Sequence, residues 1–340
     1  MKRYQTPPRI DIGGFGGMSP RNKMVKLLEI AVLAPSTHNT QPWRFKFGED
    51  CIEVYLDNSR QLPAADFKKR DMYISLGALL KNLETAAEAL GVLGGLTISN
   101  QKTEHAATIH LKNLEKPFKL SGKGQKTVDN IASRSNYRGP FGPLTISKST
   151  LDIIRKKDTC QTVLITDKEK IEELARLTAE GLRLAYRNPA FRKEIASWIK
   201  PNSSRQKKGI PGYSLRMPLL TSHIIPKMMR VKDIGEKLAG LNYRSFITAN
   251  SVAVITAAKE DPRTWIEVGR RAQDIFLAVN RDGGSTSIYV AAIETPGLDK
   301  QLHKALALSP GQKPQFLFCI GKPLLPKVYS PRESVRRKLY

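Results

Sequence analysis

Strict alternation of apolar and polar residues on both sides of a short turn constrains the fold more than any other feature. The turn is Gly48-Glu49-Asp50, and the apolar positions around it are Trp43, Phe45, Phe47, Ile52, Val54 and Leu56. A period of two is typical of strands that bury one face, so the segment predicts an antiparallel β-hairpin. Amphipathic segments with the helical period of 3.6 residues lie on either side. Because strands and helices do not alternate strictly, the sequence predicts an α+β architecture.

Several helices are marked by their terminal residues. Ser19 is a favourable N-cap before Pro20, whose missing N–H costs nothing at the first helical position. A second helix is predicted to end at Gly91, and two more are predicted to begin after Asp167 and Asp261. Further strands are predicted at residues 96–98, 108–111, 162–166, 246–258 and 315–320. Both halves of the chain therefore contain predicted strands and helices.

The length of 340 residues suits one large domain or two compact ones, each with its own core. A stretch rich in Lys, Gly and Ser at 117–126 predicts a linker, which divides the chain into modules 1–125 and 126–340. Residues 186–245 combine weak periodicity with several prolines and many cations. We interpret this segment as a lid-like insertion in the second module.

The chain is strongly basic, with 56 Lys and Arg residues, 31 Asp and Glu residues and a formal net charge of +25. A positive field favours anionic partners, but the cations are spread along the chain and no nucleic-acid-binding motif accompanies them. A solvated basic surface is therefore favoured over nucleic-acid binding. No apolar run reaches the ~18 residues of a membrane span, and residues 1–20 lack a secretory signal pattern. We expect a cytoplasmic protein with no membrane partner.

The distribution of cysteines and histidines predicts neither disulfides nor a metal site. Cys51, Cys160 and Cys319 are odd in number and far apart, and the five histidines do not cluster at ligand spacing. Glycines likewise do not form a nucleotide-binding motif, because no GxGxxG follows a strand and no GxxxxGK[ST] occurs. Rossmann and P-loop folds are therefore poor interpretations.

A polar turn between the first helix and the hairpin is the most informative segment. It reads Ala34-Pro35-Ser36-Thr37-His38-Asn39-Thr40-Gln41-Pro42-Trp43. Its hydroxyl and amide groups could hydrogen-bond a heterocycle that has donors and acceptors along one edge. The alternative is a polar connection that merely leads into a core tryptophan.

This turn resembles the PS-x-x-N-x-QPW signature of the FMN-dependent nitroreductase family. Other segments resemble the Acg-like branch, in which two nitroreductase modules are fused: Asp57, Arg60, Asp66, Arg70, Ser75-Leu76-Gly77-Ala78, Trp265, Gly269, Leu277, Gly283, Gly284 and residues 314–321. Arg134-Ser135-Asn136-Tyr137-Arg138 is similar to the R-x-[ST]-x-R motif that opens a nitroreductase module. The resemblance implies a nitroreductase-like fold with two tandem modules that form an internal pseudo-dimer.

One FMN site between the modules is implied by the resemblance, since each module supplies only part of the signature. Pro35, Ser36, Thr37 and Asn39 would contact the ring or ribityl chain, with Gln41 supporting the turn. Phosphate ligands would be Arg134, Asn136 in place of the usual Ser or Thr, Arg332 and, as a second choice, Arg336. Arg138 would approach either the phosphate or the flavin ring. Ser287, Ile288 and Tyr289 would line the N5 edge. Arginines suit these roles because their guanidinium groups bind phosphate bidentately.

The activity that the resemblance implies is NAD(P)H-dependent reduction of nitroaromatics or quinones, by ping-pong hydride transfer through flavin N5. No protein general base is required, and His38 either donates to a substrate or caps the turn. Two alternatives stay open: a flavin-sequestering protein with restricted access, and a basic nucleic-acid-binding protein that retains the fold. Cations of the lid-like segment could also receive NADPH phosphates. We expect a monomer whose two modules form the pseudo-dimer. Further self-association of whole chains is left open.

Overall fold

Two antiparallel sheets, one in each half of the chain, form the framework of the molecule. The computed structural model describes residues 4–100, 103–115, 117 and 122–340. The helices are α1 (Pro20–Ala31), α2 (Arg70–Ala89), α3 (Gly122–Ser133), α4 (Lys148–Arg155), α5 (Lys168–Arg187), α6 (Pro189–Trp198), α7 (Leu219–Val231), α8 (Gly235–Phe246), α9 (Pro262–Arg281), α10 (Ala291–Glu294) and α11 (Leu298–Ala305). The strands are β1 (Trp43–Phe47), β2 (Cys51–Leu56), β3 (Leu93–Ile98), β4 (His105–Leu111), β5 (Phe141–Gly142), β6 (Gln161–Ile165), β7 (Ile199–Lys200), β8 (Ile210–Pro211), β9 (Ser251–Ala257), β10 (Ser285–Ile288) and β11 (Lys313–Pro323).

The first sheet contains the predicted hairpin and has the strand order β1-β2-β4-β3. Trp43 pairs with Leu56 and Phe47 pairs with Ile52, so the antiparallel register agrees with the alternation in the sequence. Trp43 and Phe45 are fully buried against the helices of the first half. The hairpin prediction is thus confirmed, because the alternating side chains form one face of the core.

The second sheet has the order β10-β11-β9-β6, with β5 paired to the end of β11. All residues of β9 are buried, as expected for a central strand covered on both faces. The predicted strand at 246–258 was wrong at its start, because Phe246 ends α8 and the strand begins at Ser251. Pairing within both sheets is antiparallel, which confirms the α+β prediction.

Helices α2 and α9 join the two halves at a close crossing. A Cβ atom built at Gly77 would lie 2.0 Å from the carbonyl oxygen of Ile266, and one at Gly269 would lie 1.9 Å from that of Ile74. Glycine therefore allows the two backbones to touch. Farther along the same pair, the buried Gln273 donates to Asn82 Oδ1 at 2.7 Å. The two modules predicted from the sequence thus pack together through a shared helix pair.

Helical structure extends into segments where little was predicted. Residues 122–126, part of the predicted linker, belong to α3 because Val128 and Ile131 bury one face of that helix; residues 118–121 lie outside the described part of the chain. The predicted lid-like segment contains α6, α7 and α8 around a small separate core that includes Tyr186, Ile210 and Met229. The module boundary at 125 and the lid limits of 186–245 stay predictions.

The C-terminal residues cross back from the second half to the first sheet. Leu339 forms a parallel bridge with Phe45, and the Tyr340 amide donates to the Phe45 carbonyl at 3.0 Å. The buried Lys338 ammonium donates to the Gln41 carbonyl at 2.9 Å and pairs with Glu333 at 3.0 Å. This C-terminal segment therefore completes the edge of a sheet that belongs to the other half.

No helix in the described ranges is both long enough and apolar enough to cross a bilayer.

Candidate functional site

A cavity lies where the two halves meet, and both halves supply its walls. The first half contributes Leu33, Pro35, Ser36, Thr37, His38, Asn39, Asp71, Ile74, Ser75 and Ala78. The second half contributes Ala132, Arg134, Ser135, Asn136, Arg138, Ile210, Ser214, Gly269, Ala272, Phe276, Ile288, Val290, Phe316, Val328, Tyr329, Ser330 and Arg332. The polar turn and the arginine motif, about one hundred residues apart in the sequence, thus face one cavity.

The polar turn is held in an unusual backbone conformation. His38, Asn39 and Gln41 have φ values of 52°, 55° and 55°, in the left-handed region that residues other than glycine rarely adopt. The Ser36 hydroxyl accepts from the Gln41 amide at 3.0 Å and closes the turn. Strained backbone of this kind is concentrated at binding sites, where the surrounding contacts fix it. The turn therefore presents its polar groups to the cavity in one defined arrangement.

Thr37 connects the turn to an acidic group at the start of α2. Its hydroxyl donates to Asp71 Oδ2 at 3.0 Å. Asp71 shares Arg70 with Glu294 of α10, at N–O distances of 3.4 Å and 3.1 Å. Burial and the neighbouring Asp71 raise the pKa of Glu294 well above its ordinary value. The ion-pair group therefore fixes Asp71, and through it Thr37, at the cavity wall.

His38 faces the cavity as a neutral imidazole. Its pKa is lowered to about 4, mainly by burial; the Asp71 charge opposes this shift and the Arg138 charge adds to it. Its Nε2 atom has no hydrogen-bond partner within the described residues. A neutral histidine with one free ring nitrogen can donate or accept one hydrogen bond to a ligand.

Arg134 is a buried cation with unused hydrogen-bond donors. Its Nε and Nη1 atoms are buried and have no partner in the part of the chain that the structure describes. Burial and the nearby Arg332 lower its pKa to about 9, and burial with the nearby Arg134 lowers that of Lys327 to about 8. Among the described ion pairs, none includes Arg134, Lys327 or Arg332. Several clustered cations without a carboxylate form an anion-binding site.

Arg332 combines a place in the cavity wall with a structural role. Its Nε and Nη2 atoms donate to the carbonyls of Val32, Leu33 and Ala34 at 2.9–3.1 Å, beyond the end of α1. Its Nη1 atom donates to Asn39 Oδ1 at 3.1 Å. Burial lowers its pKa to about 10. Arg332 therefore positions the polar turn and adds positive charge, while most of its donors are already occupied.

The other members of the arginine motif contact the walls of the cavity. Arg138 is buried, which lowers its pKa, and its Nη1 atom donates weakly to the Ser214 carbonyl at 3.4 Å. The Asn136 Oδ1 atom accepts from the Ile288 amide at 3.2 Å. Asn136 thus fixes the backbone of β10 at the cavity edge, which is a different use of the amide from the predicted phosphate contact.

Four predicted residues do not line the cavity. Ser287 and Tyr289 flank Ile288, and because side chains alternate along a strand they point away when Ile288 faces the cavity. Gln41 is fully buried and accepts from the Glu333 amide at 2.9 Å, as expected for a residue that supports the turn. Arg336 is exposed, because its neighbours in the C-terminal turn face the core.

The predicted lid-like segment is attached directly to the polar turn. Asn39 Nδ2 donates to the Gly209 carbonyl at 3.1 Å, and Gln41 Nε2 donates to the Lys207 carbonyl at 2.8 Å. Ile210 and Ser214 of the same segment form part of the cavity wall. Asn39, which was predicted to contact a ligand, and Gln41, which was predicted to support the turn, therefore also hold this segment at the cavity.

Sequence reasoning missed several wall residues. Asp71 immediately follows the quoted Arg70, and Ser135 lies inside the quoted arginine motif with a buried hydroxyl that has no described partner. Both could have been found by their adjacency to these motifs. The wall residue Tyr329 lies in an irregular segment after β11, where no periodicity indicates which side chain turns inward. Lys327 of the same segment is not a wall residue; it lies near Arg134 and donates to Asn280 Oδ1 at 2.6 Å.

Sequence comparison finds related proteins of Mycobacterium tuberculosis. One, provisionally named NAD(P)H nitroreductase Acg, is 27% identical over 195 residues, which cover 55% of this chain and 56% of that protein. A second, provisionally named NAD(P)H nitroreductase Rv3131, is 37% identical over 65 residues, or 19% of either chain. The chain thus spans about half the length of the first of these relatives. No protein-family model matches the chain.

Solved structures with a similar arrangement are more distant. The FMN and NADPH-dependent nitroreductase NfnB from Sphigopyxis sp. strain HMH is 14% identical with a TM-score of 0.39, covering 62% of this chain and 95% of that one. The NADPH:FMN oxidoreductase from Vibrio harveyi is 15% identical with a TM-score of 0.35, covering 60% and 72%. Such values do not bear on the chemistry of the cavity. The predicted resemblance is confirmed at the level of sequence similarity: about half of the chain is similar to a protein provisionally named NAD(P)H nitroreductase Acg.

Proposed function

We propose that the chain binds FMN in the cavity between its two halves and acts as an NAD(P)H-dependent oxidoreductase of the nitroreductase type. The observation that carries this proposal is the cation cluster of Arg134, Lys327 and Arg332, which lacks a carboxylate partner among the described residues. The names of the related proteins and the composition of the polar turn support it.

The cation cluster fits the phosphate of FMN. A phosphate near neutral pH carries close to two negative charges, and arginine binds it with two parallel hydrogen bonds. Arg134 offers two unpartnered buried nitrogens, while Lys327 and Arg332 add charge on the same side. Burying these cations without a counter-ion is costly, as the lowered pKa values of Arg134 and Lys327 indicate. An anion would remove that cost.

Other residues of the cavity wall fit a flat heterocycle. Ile74, Phe276 and Ile288 provide apolar surface, and the turn at 36–39 provides hydroxyl, imidazole and amide groups. Pockets with mostly apolar walls and a few fixed polar groups are typical of cofactor sites. Ser36 and Thr37 would therefore lie beside the ring or ribityl chain, as the resemblance implies.

When bound, FMN would supply ping-pong hydride transfer from NAD(P)H to a nitroaromatic or quinone acceptor. The chain itself would bind and orient the flavin and shield it from water. Arg134 would hold the phosphate, and His38, neutral above pH 4, would offer one hydrogen bond without adding charge. Thr37, fixed by Asp71, would orient the polar edge of the ligand.

A flavin-sequestering protein is the second candidate function. Its specific support is the segment at 207–214, which is hydrogen-bonded to Asn39 and Gln41 and covers part of the cavity. Such a cover would restrict access of NAD(P)H or of the acceptor.

Flavin binding is tested by comparing FMN with riboflavin, which lacks the phosphate. We expect FMN to bind to the apoprotein at least ~10-fold more tightly, because charge-assisted hydrogen bonds are worth roughly 1.5–3 kcal/mol each. Arg134→Met should abolish this preference, whereas Arg336→Met, a change at an exposed arginine, should retain it. Ser36→Ala should weaken binding of both flavins. Equal affinity of the wild-type protein for FMN and riboflavin would refute the phosphate assignment.

An anaerobic titration separates the two candidate functions. For an oxidoreductase, NADH or NADPH should bleach the flavin absorbance, and a quinone or nitroaromatic should restore it. For a sequestering protein, stoichiometric FMN should stay oxidised in the presence of either nucleotide.

A further inference from the structure

The outer face of α7 is apolar although it is exposed. Leu220, Ile224 and Val231 recur at helical spacing and are 76%, 59% and 82% exposed. Leu219, at the start of the helix, is 57% exposed. The opposite side of the helix, with Ser222 and Met229, is buried against the small core of the lid-like segment. The exposed stripe is therefore not needed to attach α7 to the protein.

The segment that contains this stripe is rich in cations and has no acidic residue between 195 and 232; the exposed Asp233 follows directly after it. Residues 195–232 contain no Asp or Glu in 38 residues, although the chain has 31 acidic residues in 340. The same segment contains eight basic residues: Lys200, Arg205, Lys207, Lys208, Arg216, Lys227, Arg230 and Lys232. Most of these lie at or near the surface, and Lys227, Arg230 and Lys232 on or beside α7 are exposed.

The loop at 200–208 belongs to the same surface as α7. The Asn202 amide donates to the Ser222 hydroxyl at 3.0 Å, and the Ser203 hydroxyl is 3.1 Å from His223 Nε2. Lys208 and Arg230 are close enough to lower the pKa of Lys200 after burial, which is the main cause. Ser222 lies on the buried side of α7 and His223 is exposed, so the loop and its cations lie along one flank of the helix.

We propose that the α7 face, formed by α7 and the loop at 200–208, binds the surface of an anionic lipid bilayer. Leu220, Ile224 and Val231 would enter the region between headgroups and acyl chains, while the flanking cations would contact lipid phosphates. An exposed apolar helix face bordered by Lys and Arg is the pattern of helices that lie in a membrane interface. The absence of a spanning helix does not oppose this, because the helix would lie on the bilayer without crossing it.

Other occupants fit the α7 face less well. A second copy of the chain, placed on this face by a two-fold axis, would bring Lys227 and Arg230 of both copies together, and the nearest acid in the sequence, Asp233, could offset only part of that charge. A nucleic acid would use the cations but would leave the aliphatic stripe without a partner. An anionic bilayer satisfies both the apolar stripe and the cations. The proposal is also independent of FMN binding and extends to the unexplained net charge of +25.

Co-sedimentation with phosphatidylglycerol and phosphatidylcholine vesicles tests the proposal. The full chain should bind vesicles rich in phosphatidylglycerol and not those of pure phosphatidylcholine. Neutralising cations with the variant Lys227→Gln/Arg230→Gln/Lys232→Gln should weaken binding by about fivefold per charge, or roughly 100-fold in all.

Apolar variants decide whether the stripe itself enters the bilayer. Leu220→Ser/Ile224→Ser/Val231→Ser should weaken vesicle binding at least ~10-fold at unchanged net charge. The matched control Phe67→Ser/Leu324→Ser, at residues 70% and 60% exposed elsewhere, should bind as the wild-type protein does. Circular dichroism and thermal unfolding of each variant verify the fold. As a positive readout, the emission of Trp introduced by Ile224→Trp should shift to shorter wavelength on binding.

Four results would overturn the proposal. The first is no binding to phosphatidylglycerol vesicles, and the second is binding that the apolar variant leaves unchanged, which would indicate general charge attraction. The third is a dimer, seen by sedimentation without lipid and lost in the apolar variant, which would assign the face to self-association. The fourth is duplex DNA that displaces vesicles equally well from the wild-type protein and from the apolar variant, which would show that the cations act alone.

Discussion

The crossing of α2 and α9 provides a sharp test of the fold. In Gly77→Ala, the added Cβ would lie 2.0 Å from the Ile266 carbonyl oxygen, whereas ordinary contact begins at 3.4 Å. The helices must therefore separate by about 1.4 Å. Because the obstacle is backbone and cannot rotate away, we expect a cost near the upper end of overpacking, about 3 kcal/mol. The higher helix propensity of alanine returns about 1 kcal/mol, which leaves a net loss of about 2 kcal/mol.

Urea unfolding followed by circular dichroism, together with thermal unfolding, measures this loss. The entropy of unfolding scales with length to about 0.7 kcal/mol/K for this chain, so Tm should fall by about 3 °C. Gly240→Ala in α8 is the matched control, since the nearest atom to its added Cβ is the flexible Arg244 side chain at 3.9 Å. The control should gain about 1 kcal/mol from propensity alone.

The double variant Gly77→Ala/Gly269→Ala adds a second criterion. The two Cα atoms are neighbours, so helices separated by one methyl group already have room for the other. We expect the double variant to lose clearly less stability than the sum of the single losses. If Gly77→Ala were as stable as Gly240→Ala, or if the two losses were additive, the close crossing would be incorrect.

Three further predictions concern groups elsewhere in the structure. Arg332→Gln should lower the free energy of unfolding by about 2 kcal/mol in urea, because carbonyls beyond the end of α1 lose a charged donor. Ellman's reagent at pH 8 should label Cys51 first, because burial raises the pKa of Cys160 to about 12 and that of Cys319 well above its usual value; Cys51→Ser should remove the fast reaction. The pKa of His38, lowered to about 4 by burial, is below the value of about 6.5 in the unfolded chain, so its contribution to stability is complete above pH 6.5 and is lost as the pH falls toward 4. Urea midpoints at pH 7 and pH 5 should therefore differ less in His38→Gln than in the wild-type protein.

Local signals predicted the regular elements well. Ser19, Asp167 and Asp261 cap α1, α5 and α9 through hydrogen bonds to backbone amides three residues ahead. Such caps depend on a few adjacent residues, so the sequence contains them in full. The alternation around the turn at 48–50 likewise determined the register of the hairpin.

The helices of the lid-like segment were not predicted, for a physical reason. The helix α7 contains Pro226 and has apolar residues on both its buried and its exposed face, so no single amphipathic stripe appears. Weak periodicity there reflects a helix with two apolar faces and not the absence of structure. The exposed apolar face that obscured the helical period of α7 is also the face on which the proposed membrane contact depends.

The site could be predicted only where motifs exist. The turn at 35–39 and the motif at 134–138 face one cavity, which agrees with the composite site inferred from their resemblance. Lys327 was missed, because its place near Arg134 depends on how an irregular segment folds back across the molecule. Ser287 was predicted to line the site but points away from the cavity. The register of β10 decides this, and no residue type in the sequence specifies that register.

The C-terminal crossing implies that neither half is an independent folding unit. Without residues 332–340, the edge of β1 would lose its bridge to Leu339, and the buried Gln41 would lose the Lys338 donor. A gene cut between the halves would thus yield fragments that are each incomplete. Fragments mixed together should regain native structure only as a complementing pair.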